Sequence, residues 1–310
     1  MRNELKKKLA KLEKLLRTGK YDYDAIQSML DVDYDYARKL VQLLRDRGIE
    51  VRYDIHKGRR YFYVPDAPDD VNGTYKINIP TDRNGYFKVA VIGDTHIGSK
   101  YEALDRLHDF YDLLERENVP IVIHAGDLTD GNGRQYKGHL NEVKVYGFEN
   151  LLEYTVENYP KREGVKTVVI SGNHDLSFWK QNGVDIVKAI SRERDDILYA
   201  GQLSAYIEIN GVKFYVVHPD GGMAYARSYK LQRMIEQMEE KPDVVVRGHL
   251  HISMYLPYLR VHGFEAGCFQ YQTPYLARKG LRPEIGGWIL EIKAENGKIK
   301  EIKPRWISYK

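Results

Sequence analysis

The chain has 310 residues, 43% of them hydrophobic and 30% charged, with a single cysteine and a formal net charge of +4. That length suits a catalytic domain plus a small appendage. A lone Cys268 excludes a disulfide framework or a paired-cysteine metal site, and no run approaches the roughly 18 apolar residues of a membrane span. Residues 1–17 lack the apolar stretch of a secretory signal, so a soluble, cytoplasmic protein with no membrane partner is expected. Residues 1–64 hold 16 Lys and Arg against 10 Asp and Glu, so the whole positive excess lies in them and the remainder nets −2.

In that first segment Leu5, Leu9, Leu12, Leu15 and Leu16 recur at helical spacing. Gly19 fits a stop. Asp22 or Asp24 suits the cap of a second helix carrying Ile26, Met29 and Leu30. Asp33 suits the cap of a third, with Ala37, Leu40, Val41 and Leu44 inward and Gly48 at its end. Two strand-like runs follow, 49–55 and 60–64, joined by a basic turn, His56-Lys57-Gly58-Arg59. Three helices and a hairpin in this order resemble a winged helix-turn-helix domain. The resemblance implies that Arg38, Lys39, Gln42 and Arg45 face nucleic acid and that Lys57, Arg59 and Arg60 meet phosphates. Asp33 and Asp35 sit at the helix end that would approach a phosphate backbone. Docking of a protein partner through this segment is the alternative.

Residues 65–86, rich in Pro, Asp, Asn and Gly, read as a linker, with an alternating patch at 75–79 that adds a short strand. From residue 87 the pattern changes. Five short apolar runs, 88–92 (KVAVI), 120–124 (PIVIH), 166–170 (KTVVI), 213–217 (KFYVV) and 243–247 (DVVVR), each stop at a polar cluster. Such runs predict strands buried on both faces. Helical patterns at 103–117, 142–157, 183–192 and 226–240 lie between them, so an α/β domain over 87–310 is expected. After the fifth cluster only strand-like segments remain, 254–261, 286–292 and 298–307, with an Asn296-Gly297 hairpin turn. These are expected to complete a second sheet.

In α/β sheets ligands bind outside the carboxyl ends of the strands. The clusters place Asp94, His96, Asp127, Asn173, His218, His249 and His251 there, along one rim. Any one such residue is more often a turn or a cap than a ligand, and His108, His124 and His262 are read as structural. Five clusters at five strand ends are not explained that way, because uncompensated carboxylates gathered at one edge are costly. Seven donors exceed the need of one tetrahedral zinc and suit two ions sharing a carboxylate.

The ordered set DTH, GDLTD, GNHD, HPDG and GHLH resembles the calcineurin-like metallophosphoesterases over residues 87–302. The resemblance implies two packed mixed sheets flanked by helices. It implies that Asp94, His96 and His251 hold one ion, that Asn173, His218 and His249 hold the other, and that Asp127 bridges them. His174 matches the catalytic histidine, and Asp175 the acidic partner that orients it. The cofactors are then two divalent metal ions, manganese favoured, with Fe, Zn, Co or Ni as alternatives suited to mixed imidazole and carboxylate donors. A hydroxide shared by the ions would attack phosphorus in line.

The arginine that phosphomonoesterases of the protein-phosphatase branch usually carry after the GD motif is absent at the matching place, since Asp130 is followed by Gly131 and Asn132. Arg134 lies nearby. The insertion 131–139 (GNGRQYKGH) is a candidate substrate loop in which Arg134, Tyr136, Lys137 and His139 meet phosphate or a base, a solvated loop being the alternative. Residues 263–285 interleave Phe264, Phe269, Tyr271 and Tyr275 with Arg278, Lys279 and Arg282, for base stacking or for sheet packing. Four of the motifs also look like the nuclease subunit of double-strand-break repair, and the layout is similar to phage-type phosphoesterases. The expected function is a two-metal phosphodiesterase or nuclease acting on nucleic acid. The alternatives are a phosphomonoesterase or small-molecule phosphodiesterase with a protein-docking front module, and a DNA-binding regulator with a vestigial phosphoesterase fold.

Overall fold

The computed structural model describes residues 2–47, 49, 51–56, 58–64 and 74–309. The chain divides into two compact units, Met1–Asp70 and Val71–Lys310. In the first, α1 (Arg2–Thr18), α2 (Tyr23–Leu30) and α3 (Tyr34–Asp46) precede a hairpin of β1 (Arg52–His56) and β2 (Arg59–Tyr63). Asp22 and Asp33 cap α2 and α3, accepting from Ala25 N at 2.9 Å and Tyr36 N at 2.7 Å. That pairing explains why carboxylates open the third helix. Leu9, Leu12 and Leu16 of α1 close over Ile26, Leu40, Val41, Leu44 and Phe62. Gly48, Lys57 and residues 65–73 of the expected linker lie outside the described residues.

The second unit runs through β3 (Tyr75–Ile77), β4 (Tyr86–Ile92), α4 (Leu104–Arg116), β5 (Ile121–His124), α5 (Phe148–Asn158), β6 (Lys166–Ser171), α6 (Ser177–Asn182) and α7 (Ile186–Glu193). It continues with β7 (Ile197–Gln202), β8 (Ser204–Ile209), β9 (Val212–Val217), α8 (Tyr229–Gln237) and β10 (Val244–Arg247). It closes with β11 (Ser253–Tyr258), β12 (Val261–Ala266), α9 (Pro274–Arg278), β13 (Gly286–Glu295) and β14 (Lys298–Ser308). Among the described residues these strands form two mixed six-stranded sheets, ordered β14-β13-β4-β5-β6-β7 and β11-β12-β10-β9-β8-β3. Strands β4 to β7 are parallel in the first. In the second, β9 and β12 both run parallel to β10.

Strand alternation explains the continuous apolar runs. Val89, Val91, Ile121, Ile123, Val168 and Ile170 meet Phe214, Val216, Val244, Val246 and Phe264 in the space between the sheets. Ala90, Ile92, Val122 and Val169 turn the other way, onto Leu107, Phe110 and Leu114 of α4, Leu151 of α5, and Ile186 and Ile190 of α7. The outer face of the second sheet packs Val245 and Val261 on Leu231 and Ile235 of α8.

Several expectations are corrected. The polar clusters do not share one sheet margin: three follow strands of the first sheet and two follow strands of the second, which face each other across the common core. The last segments do not all join the second sheet, since β11 and β12 extend it whereas β13 and β14 extend the first. Residues 254–261 are not one strand: a turn at Leu259 and Arg260, with φ of 49° and 65°, divides β11 from β12. Strands β7 and β8 were not predicted: the apolar run of β7, Ile197-Leu198-Tyr199-Ala200, stops at Gly201 and Gln202 with no metal-type cluster after it, and β8 alternates half-buried and buried positions. The helix expected from residue 142 starts only at Phe148, after a 3-10 turn at His139–Asn141. Asn296 and Gly297 do form the expected turn, both with positive φ.

Candidate metal centre

The loops after β4, β5, β6, β9 and β10 carry all seven predicted ligands. Parallel pairing within each sheet puts these carboxyl ends side by side, and sheet packing brings the two sets together. Asp94, His96, Asp127, His249 and His251 have φ between 44° and 77°. This left-handed backbone costs non-glycine residues about 1–3 kcal/mol each. Each buried Val or Ile in the adjoining strands returns about 1.5–3 kcal/mol, so the core can sustain that strain. Glycines permit close approach: a Cβ on Gly172 would stand 2.2 Å from Asp127 Oδ1, and one on Gly248 would stand 2.3 Å from Ala125 O.

Among the described residues three groups of donors result, two of them made only of predicted ligands. Asp94, His96 and His251 form the first, Asp127, His218 and His249 the second, and His96, Asp130 and His174 a third that shares His96 with the first. In the first, His96 Nε2 lies 3.1 Å from His251 Nε2, which is 3.5 Å from Asp94 Oδ1. In the second, His218 Nε2 lies 3.1 Å from Asp127 Oδ2, 3.2 Å from His249 Nδ1 and 2.9 Å from Asn173 Oδ1. Asp127 Oδ2 is also 3.7 Å from His96 Nε2, so this one oxygen faces both groups.

Hydrogen bonds select which ring nitrogens point inward. His96 Nδ1 donates to Asp130 Oδ1 at 3.0 Å, and His218 Nδ1 donates to Ala125 O at 2.9 Å. Their Nε2 lone pairs therefore turn toward the carboxylates, the arrangement that second-layer acceptors impose on metal-binding histidines. Lone pairs about 3 Å apart repel unless a proton or a cation lies between them, and mixed imidazole and carboxylate donors fit a divalent transition ion. Burial alone would raise the Asp127 carboxyl, but His218 and His174 hold it well below the usual range. Burial lowers His218, but Asp127 overrides this and pushes the imidazole up to about 9. Protons thus compete with a cation for these sites, and ion binding releases them.

His174 stands beside the first group, its ring 4.5 Å from that of His96. Its Nδ1 donates to the main-chain oxygen of Asp130 at 3.2 Å and lies 3.4 Å from Asp130 Oδ1. The expectation that Asp175 orients His174 is corrected. Asp175 accepts instead from Leu128 N, Thr129 N, Thr129 Oγ1 and Gly172 N, which pins the β5 and β6 loops together. Burial and the nearby Asp127 charge push this carboxyl up to about 7. The carboxylate facing His174 is Asp130, a residue visible in GDLTD but not singled out. His124, His108 and His262 bond Thr95, Asn158 and Tyr255, away from the two groups.

The insertion is not uniformly open to solvent. Arg134 and Lys137 are exposed, but His139 is fully buried and donates to Asp130 Oδ2 at 3.1 Å. It is therefore not placed to touch a substrate. Tyr136 stacks on His139 and on Tyr275 of α9, at 4.5 and 3.9 Å between ring centres. Tyr136, Tyr275 and Leu276 wall a cleft of about 280 Å³ whose floor includes His96, Asp127, Asn173, His174, His249 and His251. Phe264 and Phe269 are core residues, whereas Arg278, Lys279 and Arg282 are exposed.

In the first unit, Arg38, Lys39, Gln42 and Arg45 share a groove of about 530 Å³ with Arg60 and Tyr53. Gln42 bonds Asp46, Arg45 donates twice to Val51 O, and Arg60 lies over the Tyr53 ring. Arg59 pairs with Asp22 and Asp24. Lys57 lies outside the described residues. No helix among the described residues is long and apolar enough to cross a membrane.

The chain is similar to known proteins over part of its length. The DNA polymerase II small subunit of Methanothermobacter thermautotrophicus is 24% identical over 64% of this chain and 51% of its own length. The DNA double-strand break repair protein Mre11 of Sulfolobus acidocaldarius is 24% identical over 68% of this chain and 54% of its own. The chain thus spans about half the length of these relatives. A solved archaeal phosphodiesterase aligns with 71% of this chain and 100% of its own, at 18% identity and a TM-score of 0.42. The sequence pattern of the calcineurin-like phosphoesterases matches residues 87–253. That stretch contains all seven predicted ligands on strand-end loops of two facing mixed sheets, and the chain belongs to the calcineurin-like phosphoesterase family.

Proposed function

We propose that the chain is a two-metal phosphodiesterase of the nuclease type that acts on nucleic acid. The observation that carries this reading is the cleft: among the described residues its wall and floor include His96 and His251 of the first donor group, Asp127 and His249 of the second, Asn173 and His174, but no Lys or Arg. A phosphomonoester dianion brings one more negative charge than a diester, which an Arg or Lys in the cleft would help to balance, whereas the single charge of a diester is one that two bound ions would neutralise. Arg134, Lys137, Arg278, Lys279 and Arg282 lie exposed beside the residues that wall the cleft, and suit the backbone of a polyanion outside it.

Asp94, His96 and His251 would hold one ion, and Asn173, His218 and His249 the other, with Asp127 shared. When bound, such ions activate water and neutralise charge on the phosphoryl oxygens, and manganese suits these donors. His174, tied through Nδ1 to Asp130, keeps Nε2 for the leaving group or a phosphoryl oxygen. The first unit acts as a winged-helix tether through Arg38, Lys39 and Arg60. A protein-docking role for that unit is the second reading. It is favoured by the internal pairing of Arg45 and Arg59 and by the naming of several relatives as polymerase subunits.

The test is manganese-supplemented hydrolysis of a bis-aryl phosphate, a mono-aryl phosphate, and labelled single- and double-stranded DNA and RNA. Cleavage of the diester and of nucleic acid is expected. Turnover confined to the monoester would overturn the reading, and inertness with every metal would leave the chain a binding protein.

A further inference from the structure

The cleft over the metal centre has two chemically different sides. Donors and His174 make its floor, but Leu250, Tyr275, Leu276 and Leu281 line it as well. The three leucines offer nothing to a cation or to a phosphoryl oxygen, so the metal chemistry does not account for them. Tyr275 is the end of a ring stack. Tyr136 lies 4.5 Å from His139 on one face and 3.9 Å from Tyr275 on the other, with interplanar angles of 28° and 19°. Both faces of Tyr136 are therefore taken, whereas Tyr275 ends the stack and is half-buried. Its main-chain N donates to Glu142 Oε1 at 3.1 Å, and Thr273 Oγ1 caps the same turn by accepting from Leu276 N at 3.2 Å. Gln270, also in the lining, is 4% exposed and donates through Nε2 to Ser99 Oγ at 3.2 Å, yet no described residue donates to its Oε1. A buried amide with an unmet acceptor is costly unless a ligand supplies the donor.

We propose that this apolar side is a nucleoside pocket, a role that rests on the hydrolase reading above. One unpaired base extends the stack from Tyr275 and gives an N–H of its pairing edge to Gln270 Oε1. Every base has a flat face that an aromatic ring accepts, so such a pocket gains affinity without demanding one sequence. A hydrogen bond to the pairing edge is open only to a base that has left its partner. The cleft volume of about 280 Å³ is at the small end of ligand pockets, room for one nucleotide and not for a paired duplex. The leucines and Tyr275 keep water from the base. Exposed Arg278 and Lys279 follow the neighbouring phosphates, with Lys279 Nζ 5.9 Å from the centre of the Tyr275 ring. Single strands and frayed ends are then the substrate, and intact duplex is excluded.

The experiment, in manganese-loaded full-length protein, compares the p-nitrophenyl diesters of thymidine 3′- and 5′-phosphate with methyl p-nitrophenyl phosphate, which has the same leaving group and no base. The better thymidine ester should exceed the methyl ester about tenfold or more in kcat/KM, chiefly through KM. Tyr275→Ala and Gln270→Met should shrink that ratio about threefold or more, whereas Tyr275→Phe, which keeps the ring, should preserve it. Labelled single-stranded DNA should be cut about tenfold or more faster than blunt duplex of the same sequence. A ratio near one in the unaltered chain, an unchanged ratio in Tyr275→Ala or Gln270→Met, or equal cutting within blunt duplex would each overturn the pocket. If no ester is hydrolysed, the hydrolase reading fails and binding decides the pocket instead. A phosphorothioate trinucleotide with 2-aminopurine at its centre should then be quenched on binding to the unaltered chain and to Tyr275→Phe, but not to Tyr275→Ala. No quenching, or equal quenching in all three, would overturn the pocket. Should Tyr275→Ala not fold, Tyr275→Leu removes the ring and keeps the bulk.

Discussion

The strand-end loops of the second unit and the basic face of the first differ in how their polar groups are held. In the loops, Asp94, His96, Asp127 and His218 are buried, the ring nitrogens of His96 and His218 are assigned by hydrogen bonds, and five of the predicted ligand residues sustain left-handed backbone. On the basic face, Arg38, Lys39 and Arg45 are exposed, and Arg59 is already paired with two aspartates. Exposed ion pairs contribute little, about 0–1 kcal/mol, and commit the surface to no particular partner. Buried and strained donors persist only where the surrounding structure and a ligand both call for them. The second unit therefore declares its chemistry in its geometry, while the first declares only a sign of charge.

The sharpest way to break this contrast is Asp127→Ala. Losing the oxygen that faces both donor groups should abolish full metal occupancy and remove several kcal/mol of transition-state stabilisation, roughly 10³-fold or more in rate. Metal analysis of the purified variant checks it, and two ions per chain would contradict the shared role. His174→Ala should separate chemistry from binding, lowering turnover about 10²-fold with metal content retained. Loss of metal in that variant would make His174 a ligand instead.

Gly172→Ala tests whether close approach is what the loops require. Its Cβ would meet Asp127 at 2.2 Å, so a loss of about 1–3 kcal/mol in stability is expected, together with weaker metal binding. Calorimetry with and without manganese measures both. An unchanged midpoint would show that the loop yields easily. The smallest effect belongs to the first unit: Arg38→Ala with Lys39→Ala should weaken DNA binding severalfold and reduce the salt slope by about 2. If affinity and salt dependence both stay as they were, the protein-docking reading of that unit gains.

Much of the second unit was legible because its signals are local. A β-branched run followed by Gly and Asp, or by Gly and His, states both a strand and the place where it ends. The Asn296-Gly297 turn and the Asp22 and Asp33 caps are equally local. What failed was non-local. The apolar run of β7 is followed by no Asp or His cluster, β8 carries no uninterrupted apolar run, and the tail divides between two sheets by pairing that no short window contains. Asp175 was adjacent to His174 in sequence, yet successive side chains in a tight turn point apart. Asp130, 44 residues away, reaches the imidazole instead.

From its order of residues alone, the strand ends of the second unit and the polar residues on the loops after them could be read, because backbone periodicity and turn chemistry act over a few neighbours. Only the packed structure decided that two sheets share the site, that Asp127 faces both donor groups, and that a buried histidine from an insertion holds Asp130. Those facts depend on distances across the core, which arise when facing sheets exclude water and draw loops far apart in sequence against one another.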